Sequence, residues 1–81
     1  MNTTEQVDRI TYRLEINGTK VNCLIWGIAL SEKRVYDSIE DLPPWMQSKL
    51  SVLMLLDPDK INNEITDVGK RISKRVFWIY E

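Results

Sequence analysis

The chain has 81 residues, 43% of them apolar and 28% charged, with a net charge of −1. That composition belongs to one small folded domain spanning residues 1–81, and a chain this short buries only about 60 to 65% of its unfolded surface. There is no histidine and a single cysteine, Cys23. Histidine-based triads and dyads and an internal disulfide are therefore ruled out by residue inventory, and a metal site is not expected. With those stabilising devices gone, a small domain is left with self-association, and a homo-oligomer is expected.

The opening segment, MNTTEQVDRI, lacks both a basic head and an apolar run, so it does not read as a signal peptide. The longest apolar runs, CLIWGIAL and LSVLMLL, fall far short of the roughly 20 residues that span a bilayer. A cytoplasmic location without membrane contact is the expectation, and the Asn2 and Asn17 glycosylation patterns then carry no meaning. Charge is polarised along the chain. Residues 1–30 are balanced, residues 31–67 carry eight acidic against four basic groups, and residues 68–81 carry four basic groups against Glu81.

The first element is a β-hairpin over about residues 7–30. Ile10, Tyr12, Leu14 and Ile16 alternate with Thr11, Arg13 and Glu15, the period of a half-buried strand. Asn17-Gly18 suits the two central positions of a type I′ turn. That turn sets Leu14 opposite Val21, Tyr12 opposite Cys23 and Ile10 opposite Ile25, all on one core face. The second strand is apolar on its other face too, through Leu24, Trp26 and Ile28. Either a second layer or a second copy covers that face, or Trp26 is an exposed binding anchor flanked by Arg9 and Arg13.

SEKRVYDS has turn character followed by a short extended piece at Val35 and Tyr36. A helix is expected over about residues 43–56, with Pro43 and Pro44 in its first turn and Pro58 as its stop. Ser38 with Asp41 suggests a capping box before it. Met46, Leu50 and Leu53 form the core stripe, widened by Trp45, Val52 and Leu56. Only Gln47, Ser48, Lys49 and Ser51 are polar, so Met54 or Leu55 is expected at an interface.

DPDKINNEITD reads as a loop with room for one helical turn. Asp57 and Asp59 have the first spacing of a calcium loop, which Ile61 then breaks. The tail, over about residues 72–80, returns to aromatic and β-branched strand composition. Val76, Trp78 and Tyr80 face one side there, and Phe77 and Ile79 the other. A lone hairpin is marginal in water, so this strand is expected to complete a three-stranded antiparallel sheet, with Trp78 as a structural residue. The fold class is thus α+β, in the order ββαβ.

ITDVGKRISKRV resembles the hairpin and second helix of the helix-hairpin-helix family of DNA-binding motifs, over about a quarter of the chain. The resemblance implies a phosphate-gripping hairpin at Val68 and Gly69, with Lys70, Arg71, Lys74 and Arg75 near the backbone of DNA. Asp67 stands where that pattern has its first glycine.

No phosphate loop, dinucleotide fingerprint or nucleophile-base pair occurs, so no cofactor and no enzymatic activity are expected. Adjacent acids at Glu40-Asp41 suit a helix start. The expected function is binding of another protein, in the manner of small inhibitors and adaptors carried by viruses and mobile elements. Interface candidates are Leu24, Trp26, Ile28, Met54 and Leu55. A nucleic-acid-binding module built on residues 61–76 is the alternative.

Overall fold

A computed structural model describes residues 9–81, so residue 7, where the hairpin is expected to begin, and the Asn2 pattern lie outside the described residues. Among the described residues, five strands and one α-helix follow in the order β1 (Thr11–Asn17), β2 (Lys20–Gly27), β3 (Leu30–Tyr36), α1 (Pro44–Leu56), β4 (Asn62–Ile65) and β5 (Arg71–Tyr80). A single antiparallel sheet has the strand order β3-β2-β1-β5-β4. The class is α+β, but the sheet has five strands where three are expected.

The β1–β2 hairpin turns on Gly18-Thr19, one residue later than a type I′ turn on Asn17-Gly18 would place it. Asn17 pairs with Lys20, Ile16 with Val21, Leu14 with Cys23 and Tyr12 with Ile25. Gly18 is the turn residue with positive φ, at +64°, and Asn17 has none. A positive φ at the first central position alone is the sign pattern of a type II′ turn, which takes glycine there. The register moves by two residues, so every side chain keeps its face.

β3 and β4 lie in segments that read as turn and loop. Leu30, Ser31, Glu32, Lys33 and Arg34 carry no apolar alternation, yet they pair with Gly27 through Cys23. Tyr36 at its end packs against the core, and the extended piece expected at Val35 and Tyr36 is that end of the strand. The rest is an edge with nothing to bury, so composition leaves no trace of it. Residues 61–76 hold no helix. Thr66-Asp67-Val68-Gly69 form a tight turn in which the Gly69 N–H donates to the Thr66 carbonyl at 2.8 Å. Gly69 follows at φ +81°, and the Thr66 N–H donates to the Lys70 carbonyl at 2.8 Å. A turn closed by a left-handed glycine is a strand-to-strand connection. The helices that the helix-hairpin-helix resemblance implies are absent here, since both flanks of this turn are strands.

α1 covers one face of the sheet. Tyr12, Leu14, Ile16, Val21, Cys23, Ile25, Phe77 and Ile79 pack under Leu42, Met46 and Leu50. Tyr12 meets Trp45 edge to face at 5.0 Å. The stripe widens through Trp45, Leu53 and Met54, while Val52 and Leu56 face solvent instead. Residues 46, 50, 53 and 54 follow the i, i+4, i+7, i+8 spacing of one helix face. Ser38 precedes a 3-10 turn, Ile39–Asp41, and makes no capping bond through its side chain. Leu42 then leaves the turn in extended conformation, and Pro44 starts the helix where a missing N–H costs nothing.

The face assignment of β5 also differs from expectation. Leu14 pairs with Phe77 and Tyr12 with Ile79, so the helix-covered side takes Phe77 and Ile79, each 2% exposed. Trp78 and Tyr80 are on the opposite face, at 44% and 41% exposure. Both faces of this strand are apolar in sequence, and only the pairing with β1 decides between them.

Leu50 is fully buried at the helix centre and Val52 is not. Leu50→Ala is expected to cost about 2 to 5 kcal/mol, whereas Val52→Ala should stay within about 0.5 kcal/mol. Urea melts of the two variants check the helix orientation.

Candidate interaction surface

The face of the sheet opposite α1 has no element over it among the described residues. Across β2, β1 and β5 its rows are set by pairing: Trp26, Thr11 and Tyr80 in one, Leu24, Arg13 and Trp78 in the next. Small Thr11 leaves room for large neighbours to lean over β1. Trp26 and Trp78, diagonal across that strand, stack with centroids 5.9 Å apart and planes 26° off parallel. Arg13 lies over the Trp78 ring at 5.4 Å and Arg9 over the Tyr80 ring at 5.3 Å.

Next to the aromatics lies an ion cluster that ties three strands together. Arg13 reaches Glu15 at 2.8 Å and Glu64 at 3.0 Å, and Lys74 reaches Glu15 at 3.2 Å and Glu64 at 3.0 Å. Two cations and two carboxylates close on each other, so the cluster presents almost no net field. Hydrogen bonding to Lys74 leads in holding the Glu64 carboxyl below the usual glutamate range. The same bond to Glu64 leads in pushing the Lys74 ammonium up. Val76, on this face opposite Glu15 and two residues from Lys74, is buried.

The candidate residues do not converge on one patch. Leu24 and Trp26 are on the outer face, the first half-buried and the second 38% exposed. Ile28 leaves the strand for the β2–β3 turn and is exposed there. Met54 packs against the core from the helix, and neighbouring Leu55 is 82% exposed, on the other side of the sheet from Trp26. Of the basic residues, Lys70 and Arg71 are exposed on the β4–β5 hairpin. Lys74 is held by two carboxylates, and Arg75 points a guanidinium N–H at the Pro58 carbonyl. The four do not form a common phosphate-facing row. Trp78 and Tyr80 are the surface residues that alternation alone put in the wrong place.

Cys23 is fully buried, and burial pushes its thiol up, away from nucleophile chemistry. Among the described residues, no group of three or more metal-ligating side chains comes together. No helix there is long and apolar enough to cross a membrane.

A second feature lies at the β5 edge. A groove of about 480 Å³ runs between α1 and the end of β5, lined by Lys49, Val52 and Leu53 on one side and Trp78, Ile79 and Tyr80 on the other. Lys49 donates to the Tyr80 carbonyl across it.

No protein-family model, no curated protein and no solved structure matches this chain. The functional reading rests on this surface.

The ion cluster makes a pH-dependent contribution. Because the folded value of Glu64 is depressed, its stabilisation is present above about pH 4.3 and is lost as pH falls through that folded value. Carbon-detected NMR should show Glu64 titrating below an ordinary glutamate. In Lys74→Met its midpoint should move back up.

Proposed function

We propose that this chain is a non-enzymatic protein-binding module whose docking surface is the outer face of the sheet, centred on Trp26 and Trp78. The observation that carries this reading is the exposed Trp26–Trp78 stack on a face that no element covers among the described residues. Large aromatic groups left partly in water are the residue type that dominates binding energy at protein interfaces. Half-buried Leu24 extends the patch, and Arg9 and Arg13 flank it. That is an apolar centre with a polar rim, the anatomy of a protein-facing surface. An inhibitor or adaptor role in the cytoplasm fits a chain of this size.

The nucleic-acid reading draws less support from the same surface. Affinity for phosphate backbones comes from unpaired cations, and here Arg13 and Lys74 are both matched by carboxylates. Stacking platforms present free ring faces, whereas the Trp78 ring is already engaged by Trp26 and Arg13.

Tagged wild-type protein and Trp26→Ala, each used as bait in native-host extract, test the proposal by quantitative mass spectrometry. A partner retained by wild type should bind the variant about 30-fold or more weakly, the equivalent of ~2 kcal/mol. The variant should keep the wild-type melting curve to within about 1 kcal/mol, because the Trp26 ring lies outside the core. Equal retention by both baits refutes the assignment of this face.

A further inference from the structure

We propose that the partner taken by the outer face is an acidic protein segment. It lies extended across the Trp26–Trp78 stack, with a carboxylate on each side of an apolar side chain. This rests on the reading of that face as the docking surface and adds the chemistry of what docks there.

Charge is sorted between the two sides of the sheet. Pairing puts Arg13, Lys20, Lys33 and Lys74 on the outer face with Glu15 and Glu64, and Arg9 joins them over the Tyr80 ring. These five cations share the face with two carboxylates, although the whole chain carries −1. The remaining strand carboxylate, Glu32, stands opposite Ile25 on the helix-covered side and is held by Arg34. Asp37, Glu40, Asp41, Asp57 and Asp59 belong to the segments that lead into and out of α1.

Within the outer face, Glu15 and Glu64 are both taken up by Arg13 and Lys74. Arg9 and Lys33 have no carboxylate partner among the described residues, and both are exposed. Unmatched cations beside an apolar centre attract an anionic partner, and complementary charge of that kind fixes which protein docks and in what register.

Spacing limits what the segment looks like. Lys33 stands across from Leu24 on β3, and the Arg9 guanidinium lies over Tyr80 on β5. Those strands are three intervals apart in the order β3-β2-β1-β5, about 14 to 15 Å at the usual strand spacing. Leu24, Trp26 and Trp78 lie between the two cations. In an extended chain, side chains two residues apart share a side and each residue advances about 3.3 Å. Acidic residues at i and i+4 therefore stand about 13 Å apart, with residue i+2 aimed at the same surface between them. The flexible Lys33 side chain covers the remainder. The pattern that fits is acidic-x-apolar-x-acidic, its apolar side chain set on the tryptophan stack. A phosphate backbone fits less well, because it needs a row of free cations and open ring faces. Here two lone cations are separated by an apolar centre.

Panning a display library of randomised peptides, each about twelve residues long, against the full chain tests the proposal. The selected pool should be enriched in Glu and Asp, at four-residue spacing around an apolar residue. As free peptides, the selected sequences should bind Lys33→Glu and Arg9→Glu about tenfold or more weakly than wild type. Lys70→Glu reverses a charge on the exposed hairpin at the far end of β5 and should bind them as wild type does. Raising salt from about 50 to about 500 mM should weaken binding, since exposed charge pairs are screened. All three variants change surface residues and should keep the wild-type melting curve. A pool without acidic excess, an empty pool, or equal binding to the variants reversed at Lys33 and Arg9 overturns the proposal. Tighter binding of an oligothymidine strand, lost in the same variants, overturns it in favour of nucleic acid. The two readings fail separately. Peptides lost by Trp26→Ala but indifferent to Lys33→Glu and Arg9→Glu leave the face standing and remove its acidic partner. Peptides retained by Trp26→Ala remove the face itself.

Discussion

One helix covers one side of the sheet, and most of the molecule follows from that asymmetry. α1 supplies Met46 and Leu50 to the eight sheet residues under it, and no other element of the described chain lies on the opposite side. Burial of that single interface is the chief source of stability in a domain this size, since apolar area removed from water scales the gain at about 25 cal/mol per Å². The outer face must then hold together by other means. It does so with a tryptophan stack and a closed ring of four charges, both of which bridge strands instead of filling a core. The residues that hold this face in water are therefore also the residues a partner would meet.

Parity explains how much of this arrangement was legible in the sequence. Tyr12, Leu14 and Ile16 against Val21, Cys23 and Ile25 mark the core face whether the turn falls on Asn17-Gly18 or on Gly18-Thr19, because the two registers differ by two residues. The turn type was not legible at that precision: Asn-Gly permits positive φ at both positions, and the chain uses it only at Gly18. The helix was legible because Pro43, Pro44 and Pro58 bracket an apolar run. Its rotation was not, since Val52, Leu55 and Leu56 are as apolar as Leu53 and Met54.

β5 failed the parity argument for a related reason. A strand that is apolar on both sides gives alternation nothing to separate, and the correct face depends on which residue of β1 stands opposite. Phe77 takes the core through Leu14, and Trp78 is left outside beside Arg13. β3 and β4 were hidden for the opposite reason. They bury almost nothing, so their sequences carry the polar character of edges, which composition cannot tell from loops. Trp78 illustrates the consequence for function: the residue that looked structural is half of the exposed stack, and the candidate surface is visible only once pairing is known.

The two apolar surfaces that remain, the outer aromatic face and the β5 edge with its groove, meet at Trp78. Its ring stacks on Trp26 and lies under Arg13 on the outer face, while the same residue forms part of the groove wall beside Ile79 and Tyr80. The groove is closed off at its end by Lys49, which donates to the Tyr80 carbonyl and so ties the helix to the last residues of β5. The ring of Trp78 is therefore placed from both sides of the sheet, through its stack above and through the helix that fixes its strand below. A change that frees either contact alters the aromatic face and the groove together.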